Sequence, residues 1–256
     1  MAFEKKIFFC HIPKTAGTSL RLALQQAVGE AAVVPSQALI SLYQGRYPPL
    51  HKALQELQDK PEYRLFRGHY NYWVRKYLPK DVLTIAVLRD PVERTVSLIR
   101  HHLADRRMTE ADARESLDQG TLPVPDNAMC RYLGDFPIQA EGEELSNRLL
   151  ASKTDPIDDP EALLKRAISA GRTVDILGFT DDMPNLFEQI SQKTGLSLAM
   201  RRDNPSRYPS LSLSEDQMDV IRTHNAFDLR LYQTMRSDRN SSKLTRLVKR
   251  TGLFGR

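Results

Sequence analysis

Cysteine is scarce in this chain, with two in 256 residues. Cys10 and Cys130 make no disulfide framework, and no Cys/His cluster has the spacing of a zinc site, so no metal is expected. Long apolar runs are missing too, and none approaches the roughly eighteen residues of a membrane span. The start, MAFEKKIFFCHIPK, holds too short an apolar stretch for a signal peptide, which predicts a cytoplasmic protein. Neither an internal repeat nor a nucleic-acid-binding motif is found. The net charge of +5 permits an anionic ligand or an acidic acceptor without requiring nucleic acid. What remains, 41% hydrophobic and 27% charged residues, suits a soluble chain with enough apolar mass for one large α/β domain.

The organising stretch is IFFCHIPKTAGTSLRLAL, residues 7–24. Its apolar start, without alternation, suits a strand buried on both faces of a parallel sheet. Pro13 to Ser19 is small and polar around Gly17. A helical pattern follows with Leu20, Leu24 and Ala27 on one face and Thr18 or Ser19 as N-cap candidates. A strand, a tight loop and a helix start aim backbone N–H groups and the positive end of a helix dipole at one spot, where an anion fits. Lys14 adds a full charge at its mouth. The loop is no Walker A motif, because Lys14 precedes Gly17 and no Gly-Lys pair is present.

VLTIAVL, residues 82–88, reads as the clearest buried strand. It runs into Arg89, an Asp90 cap and Pro91 at the first helical position. The helix to about Arg106 turns Val92, Val96, Ile99 and Leu103 inward, and Ser97 lies two turns in. YRLFRG, residues 63–68, is a further strand, followed by His69. Ligands of open parallel sheets bind outside the carboxyl ends of strands, so Lys14, His69 and Arg89 can face one cleft. An imidazole titrating near neutrality suits a general base, and His69 is the candidate.

HIPKTAGTSL, residues 11–20, resembles the 5′-phosphosulfate-binding loop of sulfotransferases that use 3′-phosphoadenosine 5′-phosphosulfate (PAPS). Its PKTAGTS form is similar to the branch of heparan sulfate 2-O-sulfotransferases and their bacterial relatives. VLRDPVERTVS, residues 87–97, resembles the 3′-phosphate-binding segment of that family, and FRGH, residues 66–69, the segment of its catalytic histidine. The likeness is strong over 7–103 and perceptible to about residue 235. It implies a P-loop-like, three-layer α/β domain with a central parallel sheet flanked by helices. It implies that Lys14, Thr15, Ala16, Gly17, Thr18 and Ser19 hold the phosphosulfate and that Arg89 and Ser97 hold the 3′-phosphate. The reaction implied moves a sulfuryl group from PAPS to a hydroxyl, with a carbohydrate as the leading acceptor. Lys14 then stabilises the leaving oxygen and His69 takes the proton, and no metal is required if lysine and backbone dipoles supply the electrostatics. Two other classes stay open: a nucleotide phosphotransferase with a variant P-loop, and a non-catalytic nucleotide-binding protein.

The rest of the chain gives further expectations. Residues 31–49 read mostly as loop, and Leu50 to Gln58 as a helix. Trp73 and Tyr77, four apart beside other tyrosines, suit core packing or a ligand-facing wall. Adjacent His101 and His102 read as solvated or packing residues. Residues 107–126 read as a mobile segment or lid. Short helices follow over 127–133, 143–152 and 159–170, then a strand over 174–179 and a helix closed by Gly195. Arg201, Arg202 and Arg207 make a basic loop that can meet an anionic glycan or the nucleotide, or simply face water. Ser212 and Glu215 have capping-box spacing before a last helix through Met235. The domain is placed at 1–235. Residues 236–256 carry seven Lys/Arg against one acid and read as a solvated basic tail, or as a weak amphipathic face for a membrane surface.

Overall fold

The computed structural model describes residues 5–134, 139–200 and 208–251, the last ten of these as backbone alone. Strand β1 (Ile7–Cys10) leads into helix α1 (Gly17–Val28). After it come β2 (Val33–Val34), α2 (Gln37–Leu42), α3 (Leu50–Asp59), β3 (Leu65–Gly68) and β4 (Leu83–Leu88). Helices α4 (Pro91–Ala104), α5 (Glu110–Asp118), α6 (Ala128–Leu133), α7 (Gly142–Thr154) and α8 (Pro160–Thr173) precede β5 (Ile176–Phe179). Helices α9 (Met183–Thr194), α10 (Glu215–His224) and α11 (Ala226–Thr251) complete the order.

The strands form one five-stranded sheet in the order β2-β3-β1-β4-β5. Every pairing is parallel, with Phe8 opposite Phe66 on one side and Thr84 on the other. This is the α/β architecture with a central parallel sheet that the sequence predicts. Side chains alternate across the strands. Phe8 and Cys10 join Ala86 and Leu88 in a core covered by α3, α6, α7, α8 and α11. Ile7 and Phe9 join Ile85 and Val87 in a second core under α1 and α9, which bury Leu20, Leu24, Leu186 and Ile190. Each such buried Leu, Ile or Phe contributes about 1.5–3 kcal/mol relative to exposure, which is why the short strands hold without long ladders. Burial lifts the Cys10 thiol to about 12, and its Sγ donates to the Tyr70 carbonyl at 3.3 Å, so it is a core residue.

The chain runs from β1 out to the edge strand β2 and back to β3 beside β1, then crosses to β4 and β5 on the other flank. The carboxyl ends of β3, β1 and β4 therefore lie side by side where the winding direction changes, the usual ligand crevice of such sheets.

Several local expectations need correction. Ala16, in the left-handed region at φ 57°, is the N-cap of α1, and neither Thr18 nor Ser19 caps it. Residues 31–49 hold β2 and α2, the latter capped by Ser36, whose hydroxyl accepts from Leu39 N–H. Residues 107–126 are not irregular throughout. α5 has a reciprocal Thr109–Asp112 cap and buries Ala113 and Leu117 with Ile99 and Ile221 in a third core. The capping box before α10 is Ser214–Gln217, not Ser212–Glu215. One expected terminal helix is two, broken at buried Asn225. α11 then passes without interruption through the proposed boundary at 235. Arg236 pairs with Asp181, Arg239 with Asp182, and Asp238 with Arg172, so the start of the basic segment docks on the domain rather than being a free tail. The loop of Arg201, Arg202 and Arg207 lies outside the described residues.

A reciprocal cap fixes α6 against α11. Asp228 accepts from Met129 and Cys130 N–H at 2.9 and 2.7 Å, while Asn127 Oδ1 accepts from Phe227 and Asp228 N–H at 3.1 and 3.0 Å. Each side chain satisfies the orphan donors of the other helix.

Candidate active site

The loop after β1 makes its turn on two non-glycine residues in the left-handed region, Lys14 at φ 69° and Ala16 at φ 57°. Thr15 turns inward, and its hydroxyl donates to the Ile12 carbonyl at 2.9 Å. α1 begins at Gly17 with no side-chain cap and no acidic residue in its first turn. By contrast, α4 and α8 carry Asp90 and Asp159 as caps. The positive end of the α1 dipole is thus left for an external anion. Glycine is required at position 17 by packing: a Cβ there would lie 2.0 Å from the His11 ring.

β4 delivers Arg89 to the same place. Its Nη1 donates to the Lys14 carbonyl at 3.3 Å, and Nε and Nη2 reach Glu93 Oε2, each at 3.3 Å. Arg89 is therefore both a partner of a surface glutamate and a wall of the cleft. Asp90 Oδ1 accepts from Val92 and Glu93 N–H and Pro91 opens α4, as the sequence predicts. Ser97 lies further along α4 on the cleft side.

β3 delivers His69. Its Nδ1 lies 2.8 Å from the His11 carbonyl, a contact that only an Nδ1–H donor makes favourable, so Nε2 carries the lone pair. Its ring packs on His11 at 4.5 Å and against Tyr47, edge to face, at 4.9 Å. Burial pulls the imidazole down to about 4. The His11 carbonyl opposes this, and the charges of Lys153, Arg21 and Arg67 add to it. The ring is therefore neutral at neutral pH, and it does not titrate near neutrality as the sequence reading expects, because the fold buries it.

These groups line one cleft of about 1280 Å³. It brings together Lys14, Ala16, Gly17, Thr18, His69, Arg89 and Ser97, while Thr15 and Ser19 flank it without lining it. Lys14 Nζ donates to the Tyr208 hydroxyl at 3.0 Å and sits 4.3 Å from that ring's centre. His101 and His102 also line the cleft, and the His101 ring packs on Tyr208 at 5.4 Å. Trp73 is core, 1% exposed, and Tyr47 supplies the aromatic wall instead.

Sequence reasoning missed Tyr47, Lys153 and two buried arginines. Arg94, fully buried, has Nε and Nη1 without a hydrogen-bond partner, and Arg131 pairs with Asp126 at 2.6 Å. All four border the cleft. Arg94 is three residues before Ser97, on the same helix face, which was the one signal available.

An α/β domain thus sets an uncapped helix start, a lysine and an arginine around one cleft, an arrangement suited to an anion. The model of the sulfotransferase family matches residues 1–129, and the chain belongs to that family. Sulfuryl transfer is the activity that membership supports. No curated protein matches the chain. Among solved structures, a sulfotransferase from Alicyclobacillus acidocaldarius is similar at 15% identity and a TM-score of 0.47, over 89% of this chain and 94% of that one.

Proposed function

We propose that this chain moves a sulfuryl group from PAPS to a hydroxyl of a carbohydrate acceptor. The observation that carries this reading is the convergence of Lys14, His69, Arg89 and Ser97, from the ends of three adjacent strands and one helix, on a single cleft. The donor suits that cleft because the α1 start has no cap of its own and cations surround it. When bound, PAPS supplies the sulfuryl group and an anionic leaving phosphate.

Backbone N–H groups from Thr15 to Ser19, with the Thr18 hydroxyl, would hold the phosphosulfate. Arg89, a rigid fork, and Ser97 would hold the 3′-phosphate. Lys14 puts positive charge where negative charge develops on the departing oxygen. His69 Nε2 accepts the proton of the acceptor hydroxyl as the new oxygen–sulfur bond forms and the old one breaks. Lysine and helix dipole supply the electrostatics, so the reading calls for no metal. Tyr47, against the His69 ring, and its chain neighbour Arg46, which also lines the cleft, are an aromatic face and a cation suited to an acidic sugar.

The test is a panel of hydroxyl acceptors incubated with radiolabelled PAPS, comparing wild type with Lys14→Ala. Label entering a carbohydrate in wild type and not in the variant is the expected result. No transfer to any acceptor, with intact binding of adenosine 3′,5′-bisphosphate, would mean a non-catalytic nucleotide-binding protein. Magnesium-dependent phosphate transfer from ATP would mean a phosphotransferase.

A further inference from the structure

The residues that follow β3 are clamped to the end of α7 by two side chains. Lys153 Nζ donates to the His69 carbonyl at 2.5 Å. Two residues on, the fully buried Asn71 donates to the Ser152 hydroxyl at 3.1 Å and to the Arg131 carbonyl at 2.8 Å. Lys153 is an unusual choice for such a clamp. It borders the cleft and faces the Tyr132 ring at 5.2 Å, and among the described residues no carboxylate pairs with it. A neutral donor would make the same hydrogen bond at a lower desolvation cost.

We infer that Lys153 is a positioning residue for His69, fixing the height of its ring in the cleft through the backbone and setting a positive charge behind it. This inference rests on the reading of His69 as the base. The charge acts on a ring whose state burial dominates, with the His11 carbonyl opposing. Facing His69 are His11 from the end of β1, Arg21 from α1, Tyr47 from the loop before α3, Arg67 from β3 and Lys153 from α7. None is acidic. His11 is itself buried and held neutral, mainly by burial. Among the cations, Lys153 acts most strongly on His69. Burial brings its own ammonium down to about 8. A cation there disfavours the imidazolium, so Nε2 stays free to accept a proton until acceptor and donor are in place.

The experiment is an NMR titration of the His69 ring in the full chain, its signal assigned by its loss in His69→Gln. The wild-type midpoint is expected at about 4. Lys153→Met should shift it upward, as removal of a nearby like charge does. Lys153→Gln keeps a donor for the carbonyl without the charge. It should raise the midpoint equally while losing less turnover, and it carries the comparison if the methionine variant does not fold. Ser152→Ala removes the neighbouring clamp only and should leave the midpoint in place. Midpoints in both Lys153 variants equal to wild type would overturn the inference. Undiminished turnover in His69→Ala would remove the base reading, and the titration would still decide whether Lys153 controls this ring.

Discussion

The Arg89 guanidinium donates to the carbonyl oxygen of Lys14 at 3.3 Å, joining residues 75 positions apart at the mouth of one cleft. The contact is long, and it ties the two turns that end β1 and β4, which the sheet places side by side. Arg89 is thus oriented before any anion arrives, with donors to spare beyond the one that Lys14 uses.

On the proposed function the two cations have separable tasks. Arg89→Ala should weaken adenosine 3′,5′-bisphosphate binding by about 1.5–3 kcal/mol, the usual worth of hydrogen bonds to a charged group. Arg89→Lys should recover only part of it, because an ammonium lacks the planar fork. Lys14→Ala should keep most of that affinity and lose about 10²–10³-fold in turnover, the effect of removing a donor to a developing anion. Calorimetry with the bisphosphate and single-turnover sulfate transfer separate the two. Equal losses in both assays for both variants would contradict the division.

His69 should show a pH response that depends on ligand. With the cleft empty its folded value lies near 4, chiefly through burial, with Lys153, Arg21 and Arg67 adding to the depression. A base must be unprotonated, so activity is retained above this value and falls as pH drops through it. The profile of kcat/KM reports the free enzyme and should fall near 4. The profile of kcat reports the loaded enzyme. Phosphate charge in the cleft offsets the cations, so its acid limb should lie higher. His69→Ala should abolish the limb and cut transfer by about 10²–10⁴-fold with bisphosphate binding intact. Coincident limbs in the two profiles would argue against this electrostatic account.

What could be read without coordinates was what is local. IFFC and VLTIAVL announce buried strands by apolar runs alone, and Asp90-Pro91 announces a helix start by its chemistry. The cap of α1 was misplaced because Thr18 and Ser19 are the better cap formers, whereas the fold leaves that end open. Ser212–Glu215 and Ser214–Gln217 have the same spacing, and only packing chooses the second. β2, two residues long, carries no period to detect. Tyr47 and Lys153 were invisible for another reason: they reach His69 from a loop and a distant helix, through contacts no motif encodes.

Gly17→Ala should be costly although alanine is the better helix former. Propensity favours the change by up to about 1 kcal/mol. The new Cβ, however, would stand 2.0 Å from the His11 Nε2 and Cδ2 atoms. His11 cannot yield easily: its ring stacks on Phe9 at 5.2 Å and its carbonyl holds His69. Overpacking of this kind costs about 1–3 kcal/mol. A lowered Tm with a displaced His69 NMR signal is the expected pair of readings. An unchanged or raised Tm would mean the loop accommodates the methyl group freely.

Asn127→Ala tests the reciprocal cap between α6 and α11. Asn127 Oδ1 takes the Phe227 and Asp228 N–H groups, and its Nδ2 donates to the His224 carbonyl at 2.7 Å and to Asp126 Oδ2 at 3.0 Å. Truncation strands buried donors at the start of α11, at about 1–3 kcal/mol for each group left unsatisfied. It also replaces a residue at φ 43°, where alanine is strained. The same cap sets α6, and α6 carries Arg131, which borders the cleft. Denaturant unfolding should therefore show a large loss of stability, and bisphosphate binding should weaken although Asn127 does not line the cleft. Asp228→Ala should act on the same unit, from the other side. Its effect and that of Asn127→Ala should fall well short of adding in the double variant, as expected of one coupled network. Full additivity would show that the two helix starts are held independently.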